Sequence, residues 1–149
     1  MKKYYVLGLF MVTMLFTMMA CSKDDNVTLR SQLCHAWYWH DEMPKSYYSL
    51  LAFKPNGRFE VVMMIYTDNG TRKKIVEQGS YNLDGDKLTL MYDKRYETYT
   101  FRIVIENDEV GYTMYWYSDE NEHQSQFSTY YASEGTDAAY LYAPEYQGE

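Results

Sequence analysis

Few residues in this chain have a type and spacing that could do chemistry. His35, His40, Asp41, Glu42 and His123 are the ones that look like a metal set. A zinc site needs three or four converging ligands, commonly histidine or cysteine at short defined spacings. His35 and His40 are five positions apart, so on one extended strand they point to opposite faces. The spacing therefore argues for structural or surface histidines, and no metal or other cofactor is expected. Asp84 and Asp86 flank Gly85, a setting in which aspartate shapes a turn rather than pairing for acid–base work. No Gly-x-Ser-x-Gly elbow, phosphate loop or nucleophile–histidine arrangement occurs. No catalytic residue is assigned, and an enzyme is the least supported class.

The reactive thiol that stands out is Cys21. Lys2 and Lys3 precede an uncharged run from Tyr4 to Ala20, and the chain turns polar at Ser22-Lys23-Asp24-Asp25. A positive start, an apolar stretch and a small residue before the cut describe a secretory signal. The run also approaches the ~17–25 residues that span a bilayer, so an uncleaved anchor is the alternative. Leu15 to Cys21 resembles the bacterial lipoprotein signal, with Met18 and Met19 standing where that signal has leucine and a small residue. The resemblance implies cleavage after Ala20 and lipidation of Cys21 with palmitate-type chains. Residues 1–20 are then a signal peptide, and 21–32 an acylated cysteine with a linker that holds at most a single helical turn. Each buried methylene contributes ~0.8 kcal/mol, so two or more chains give a stable anchor. Ser22 resembles the signal for transfer to the outer membrane, and Lys23-Asp24-Asp25 the acidic tag of surface-exposed lipoproteins. Cell-surface display is accordingly placed ahead of the periplasmic face.

Cleavage would remove two lysines and no acids, leaving 12 basic residues against 21 acidic ones and a net charge of −9. Without a basic patch, nucleic acid is not an expected partner. Residues 21–149 suffice for one domain with a real core. Cys34 is left without a partner once Cys21 is acylated. In an oxidising compartment a lone cysteine is buried, reactive, or paired between chains. Between Leu33 and Trp37 it is expected to be buried.

From Leu33 onward the pattern is β. Eight runs rich in Val, Ile, Thr and aromatics are separated by turn chemistry: Leu33–His40, Ser46–Lys54, Arg58–Thr67, Thr71–Leu83, Asp86–Tyr92, Tyr96–Glu106, Glu109–Tyr117 and Gln124–Ala132. Lys54-Pro55-Asn56-Gly57 is a proline–glycine turn, and Asp84-Gly85 a hairpin signal of the primed type. Alternation is clean. Phe59, Val61, Met63 and Ile65 share one face, as do Tyr99, Phe101, Ile103 and Ile105, and again Val110, Tyr112, Met114 and Trp116. Period-two patterning with short hairpins predicts an all-β, eight-stranded antiparallel up-and-down barrel, which removes free sheet edges.

Leu33-Cys34-His35-Ala36-Trp37 resembles the Leu-x-Gly-x-Trp start of bacterial lipocalin-like domains, with His35 in place of the glycine. Leu51–Phe59 and Gly79–Leu90 fit the same picture, so the likeness covers residues 33–132. It implies a lipocalin-like barrel in which Trp37 closes one end. The tail, 133–149, is small and polar up to Asp137; its Tyr140, Leu141, Tyr142 and Tyr146 allow either docking or a free end.

Eighteen tyrosines and three tryptophans are more ring surface than a small core needs. Tyrosine buries well and keeps a polar tip, which suits pockets and interfaces alike. An eight-stranded barrel has room for its own side chains or one small ligand; with so many large residues a mostly filled barrel with a shallow apolar mouth is expected. Phe59, Val61, Met63, Tyr99, Phe101, Tyr112, Met114 and Trp116 are the candidate ligand-facing residues. The leading expectation is a membrane-anchored, non-catalytic binder of a small apolar or amphipathic molecule. Next comes an interaction protein: an accessory subunit of an outer-membrane complex, an inhibitor of a secreted enzyme, or a carbohydrate binder using tyrosine platforms.

Overall fold

The computed structural model describes residues 24–39, 47–118 and 126–148. Cys21 with its leader, and His40, Asp41, Glu42 and His123, lie outside the described residues. A helix, α1 (Asp24–Leu33), leads into β1 (Ala36–Trp39), β2 (Tyr47–Phe53), β3 (Arg58–Thr67), β4 (Gly70–Asp84) and β5 (Lys87–Tyr92). The chain continues through β6 (Thr98–Asn107), β7 (Tyr112–Ser118), β8 (Gln126–Ala132) and a second helix, α2 (Glu134–Tyr142). Each strand pairs antiparallel with the next, and β8 returns to β1 through Tyr38↔Tyr131 and Trp39↔Tyr130, closing the barrel.

Turn chemistry sets the hairpins. Gly57 takes φ +80° in the β2–β3 turn, where its N–H donates to the Lys54 carbonyl at 3.1 Å. The β4–β5 turn is centred one residue later than expected. Asp84 pairs with Lys87, and Gly85 at φ +60° holds the first of the two central positions. Positive φ there, with none at Asp86, is the type II′ arrangement. The seventh strand starts three residues late. Asp108 Oδ1 accepts from the N–H groups of Val110 and Gly111 (2.8 and 3.0 Å). This aspartate turn leaves Val110, which alternation placed on an inward face, 85 % exposed.

The start of the domain also differs from expectation. Leu33 ends a ten-residue helix rather than opening a strand, so the stretch before it holds more than the single helical turn expected. The helix stops because Cys34 and His35 turn back, His35 N–H donating to the Leu33 carbonyl at 2.7 Å. Joined to β1, α1 nevertheless touches β4 and β6, on the far side of the ring. It can do so only by crossing one end of the barrel. Leu33 is fully buried in the interior with Trp37, Phe53, Phe59, Leu88 and Ile103. That is the plugged end.

A second apolar layer lies outside the ring. Ala36, Leu50, Ala52, Val62 and Met64 alternate with the interior residues of β1–β3 and form their own buried cluster. Ala139, Tyr140 and Ala143 of the C-terminal segment cover it. The tail is therefore docked. Ser133 caps α2 by accepting from Thr136 N–H at 3.3 Å, and Thr136 Oγ1 accepts from Ser133 N–H at 2.8 Å. This reciprocal box satisfies two donors that a helix start leaves open. Past α2, Lys73 N–H donates to the Pro144 carbonyl and Tyr146 N–H to the Lys73 carbonyl, fastening the end of the chain to β4.

Candidate ligand site

Inside the barrel the aromatic residues touch in series. Phe53 meets Phe59 (ring centroids 6.2 Å apart), and Phe59 meets Tyr92 edge-on at 5.1 Å. From Tyr92 the chain of rings passes to Tyr99, Phe101, Trp116 and Tyr130 at 5.9, 6.5, 4.5 and 4.8 Å. Centroids at these spacings, in tilted, edge or (for Tyr99–Phe101) stacked geometry, are attractive beyond their buried area, by ~0.5–1.5 kcal/mol per pair. The series begins near the plugged end at Phe53, reaches the opposite end at Tyr92 and Tyr99 beside the β5–β6 connection, and turns back along β6, β7 and β8, which present alternate residues inward.

The residues expected to face a ligand fall into three groups. Phe59, Met114 and Trp116 are buried in the interior cluster, with Val61 and Phe101 packed against it. Met63 is half-buried, and Tyr99 is 40 % exposed with its hydroxyl donating to Glu97 Oε2 at 2.5 Å. These two line the rim of the end away from α1. Tyr112 also packs against the interior cluster, but from the other end. It sits at the plugged end, stacked on His35 at 4.7 Å, so it cannot share a wall with Tyr99. Trp37 is fully buried, and its indole N–H donates to the Leu33 carbonyl at 2.8 Å, which ties the first strand to the plug.

Polar atoms punctuate the ring series. Trp116 is 3 % exposed, and its indole N–H has no hydrogen-bond partner among the described residues. An orphaned buried donor costs ~1–3 kcal/mol. Burial raises the Tyr130 hydroxyl pKa, against a hydrogen bond from Ser128 that lowers it. Burial likewise raises that of Tyr92, helped by the Glu77 carboxylate. At the rim Arg95 pairs with Glu77 and lies over the Tyr92 ring, 5.3 Å from its centroid. The arrangement sets one unpartnered N–H donor among apolar rings. It holds no converging acid and base.

The outer surface carries other clefts. One of about 650 Å³ lies between α2 and the β2–β3 turn, lined among others by Cys34, His35, Lys54, Asp137 and Leu141. Cys34 is half-buried there rather than enclosed. Its Sγ lies 3.6 Å from the Tyr81 hydroxyl, which already donates to the Lys54 carbonyl at 2.7 Å, so the thiol is the donor. Burial pushes the Tyr81 pKa up to about 12. His35 Nδ1 donates to Asp137 Oδ2 at 2.7 Å, while Asp137 Oδ1 accepts from Ala36 N–H at 2.7 Å. That pair pins α2 to β1. Among the described residues no group of three His, Cys, Asp or Glu could hold a metal ion.

Sequence reasoning did not find the orphaned indole, the Glu60–Tyr140 contact or the Asp137 clamp. For α2 a signal existed in the Ser133-x-x-Thr136 spacing, a variant of the helix-start box. No family model, curated protein or solved structure matches the chain.

Proposed function

We propose that this chain is a membrane-anchored, lipocalin-like lipoprotein of the outer membrane. Cys21 carries the lipid, and the barrel binds one small amphipathic molecule without catalysis. The observation that carries the ligand reading is the buried, unpartnered N–H of Trp116 between the rings of Phe101 and Tyr130. A ligand bringing a carbonyl, carboxylate or ether oxygen would satisfy that donor while its apolar part lies along Tyr92, Tyr99 and Phe101. The Arg95–Glu77 pair at the rim suits a polar head. The acidic balance of the chain supports a neutral or weakly polar ligand over a polyanion.

Native mass spectrometry of protein released gently from membranes tests this. A non-covalent adduct of small-molecule mass is expected. A fluorescent fatty acid used as probe should bind the emptied protein, and Trp116→Phe should weaken it about fivefold, the worth of roughly 1 kcal/mol. Absence of both adduct and probe binding would sink the reading.

A second reading has its own observation. Tyr38, Tyr48 and Tyr66 form a chain of ring contacts at 6.0 and 5.7 Å on the outer face of β1–β3, and Tyr66 is 51 % exposed. Such a stripe suits a protein partner in the envelope or a sugar ring. Cross-linking in intact cells separates the two, because an accessory subunit yields one dominant protein adduct. Protease treatment of intact cells digests the body if it is displayed at the surface and spares it if it faces the periplasm.

A further inference from the structure

We propose that the plugged end of the barrel faces the membrane, leaving the ring-lined opposite end directed away from it. This rests on the anchor proposed above. The deciding feature is that α1 is part of the body. Leu33 is buried in the barrel interior and its carbonyl holds the Trp37 indole. One turn earlier, the Arg30 guanidinium lies 5.8 Å from the centre of the Tyr81 ring, and the helix touches both β4 and β6. Asp24, the first residue of α1, is thereby placed at this end.

Three peptide units separate Asp24 from Cys21. Fully extended, they reach at most ~11 Å. The ten residues of β3 run ~30 Å along a strand that a barrel tilts by ~35–45°, so the two ends lie ~20–25 Å apart. A leash of about half that length cannot bring the rim end to the surface that holds Cys21. An uncleaved Tyr4–Ala20 anchor would give the same geometry, since its end is one residue further away.

The exposed chemistry of this end fits a lipid surface without demanding an anionic one. Val110 stands 85 % exposed on the β6–β7 turn, and Asp108 holds that turn rigid through two hydrogen bonds. The neighbouring turns carry Asp84, Asp86 and Lys87 in mixed sign. A single apolar tip beside mixed charges touches a zwitterionic interface and gains nothing from acidic lipid.

The test uses the full acylated chain on phosphatidylcholine vesicles that contain a quencher attached to a lipid headgroup. In a Cys34→Ser background, a fluorophore on Asp84→Cys should be quenched several-fold more strongly than one on Asn69→Cys, in the β3–β4 hairpin. Equal quenching, or stronger quenching at residue 69, overturns the proposal. The unmutated chain supplies an independent readout. A bulky amine reagent should modify Lys94, at the rim end, and spare Lys87, at the plugged end; equal modification of both overturns it. Flotation of the vesicles and the mass of Cys21 report on the anchor separately. A chain that floats but fails the quenching and lysine comparisons refutes the orientation alone, whereas a chain that does not float refutes the anchor and the orientation together.

Discussion

Gly79 is the tightest backbone approach inside the barrel. A Cβ there would lie 2.1 Å from the Met91 carbonyl oxygen and 2.6 Å from the Phe59 ring. Its φ is not positive, so the need for glycine is a matter of space and not of backbone freedom. Phe59 is fully buried opposite it in the β3–β4 register, and the ring occupies the volume that a side chain would take. Gly79→Ala should therefore cost about 1–3 kcal/mol through overpacking. Urea denaturation measures it; an unchanged midpoint would mean that the Met91 carbonyl and the Phe59 ring can both move aside. Trp37 and Trp116 make the opposite point about identical residue types. Both are buried, yet one indole N–H is satisfied by Leu33 and the other has no partner among the described residues. Composition cannot separate two such tryptophans, because the difference lies in which carbonyl happens to reach them.

Among the elements, α2 depends on a polar clasp as well as on its apolar side. Glu60 lies on the outward face of β3, where Lys54 Nζ donates to it at 2.5 Å and the Tyr140 hydroxyl at 2.7 Å. Burial pushes the Glu60 carboxyl upward, but the bonds from Lys54 and Tyr140 outweigh it and hold the pKa below 4.5. A carboxylate whose folded pKa is depressed stabilises the fold above its unfolded value and loses that contribution as pH falls through the folded one. The urea midpoint should therefore drop as pH goes from neutral to below about 4.5, and Glu60→Gln should flatten that part of the curve while lowering stability at neutral pH. The exposed Asp93, whose pKa is lowered by its hydrogen bond from Arg58, works in the same direction. Salt should screen that residual slope. A full pH slope in the glutamine variant would remove Glu60 from this role. Ending the chain at Ala132 should uncover Ala36, Leu50, Ala52, Val62 and Met64, so the truncated protein should bind a hydrophobic dye strongly and self-associate in gel filtration. A monomeric, dye-silent product would show that this face needs no cover.

Across the whole molecule the ring is uneven. Among the described residues β3 and β4 share ten register pairs, whereas β1 and β8 share two. Short seams open first, since few bonds and little apolar area resist them. α2 touches both β1 and β8, so it straddles this join and adds to its closure. Hydrogen exchange should show the amides of Tyr38, Trp39, Tyr130 and Tyr131 exchanging faster than those of Met63 to Ile65. Equal protection would mean the ring opens only as one unit. The same unevenness bears on the proposed binding, because the series of rings ends at Tyr130, on the strand that forms the seam.

Much of this architecture was legible in the residues. Period-two alternation and the Pro-Asn-Gly and Asp-Gly turns report strand faces and hairpins directly, since each depends only on neighbouring positions. That is why the eight strands, their order and the inward placement of Phe59, Phe101, Met114 and Trp116 could be read. Local pattern was weaker where a polar side chain competes with the backbone, as at Asp108, which delays β7 and turns Val110 outward. The plug formed by α1, the docking of α2 and the orphaned Trp116 N–H were decided by contacts between residues far apart in the chain. Leu33 reads as the start of a strand until the barrel end it fills is present. Burial and hydrogen-bond satisfaction are properties of the closed ring, and no run of neighbours encodes them.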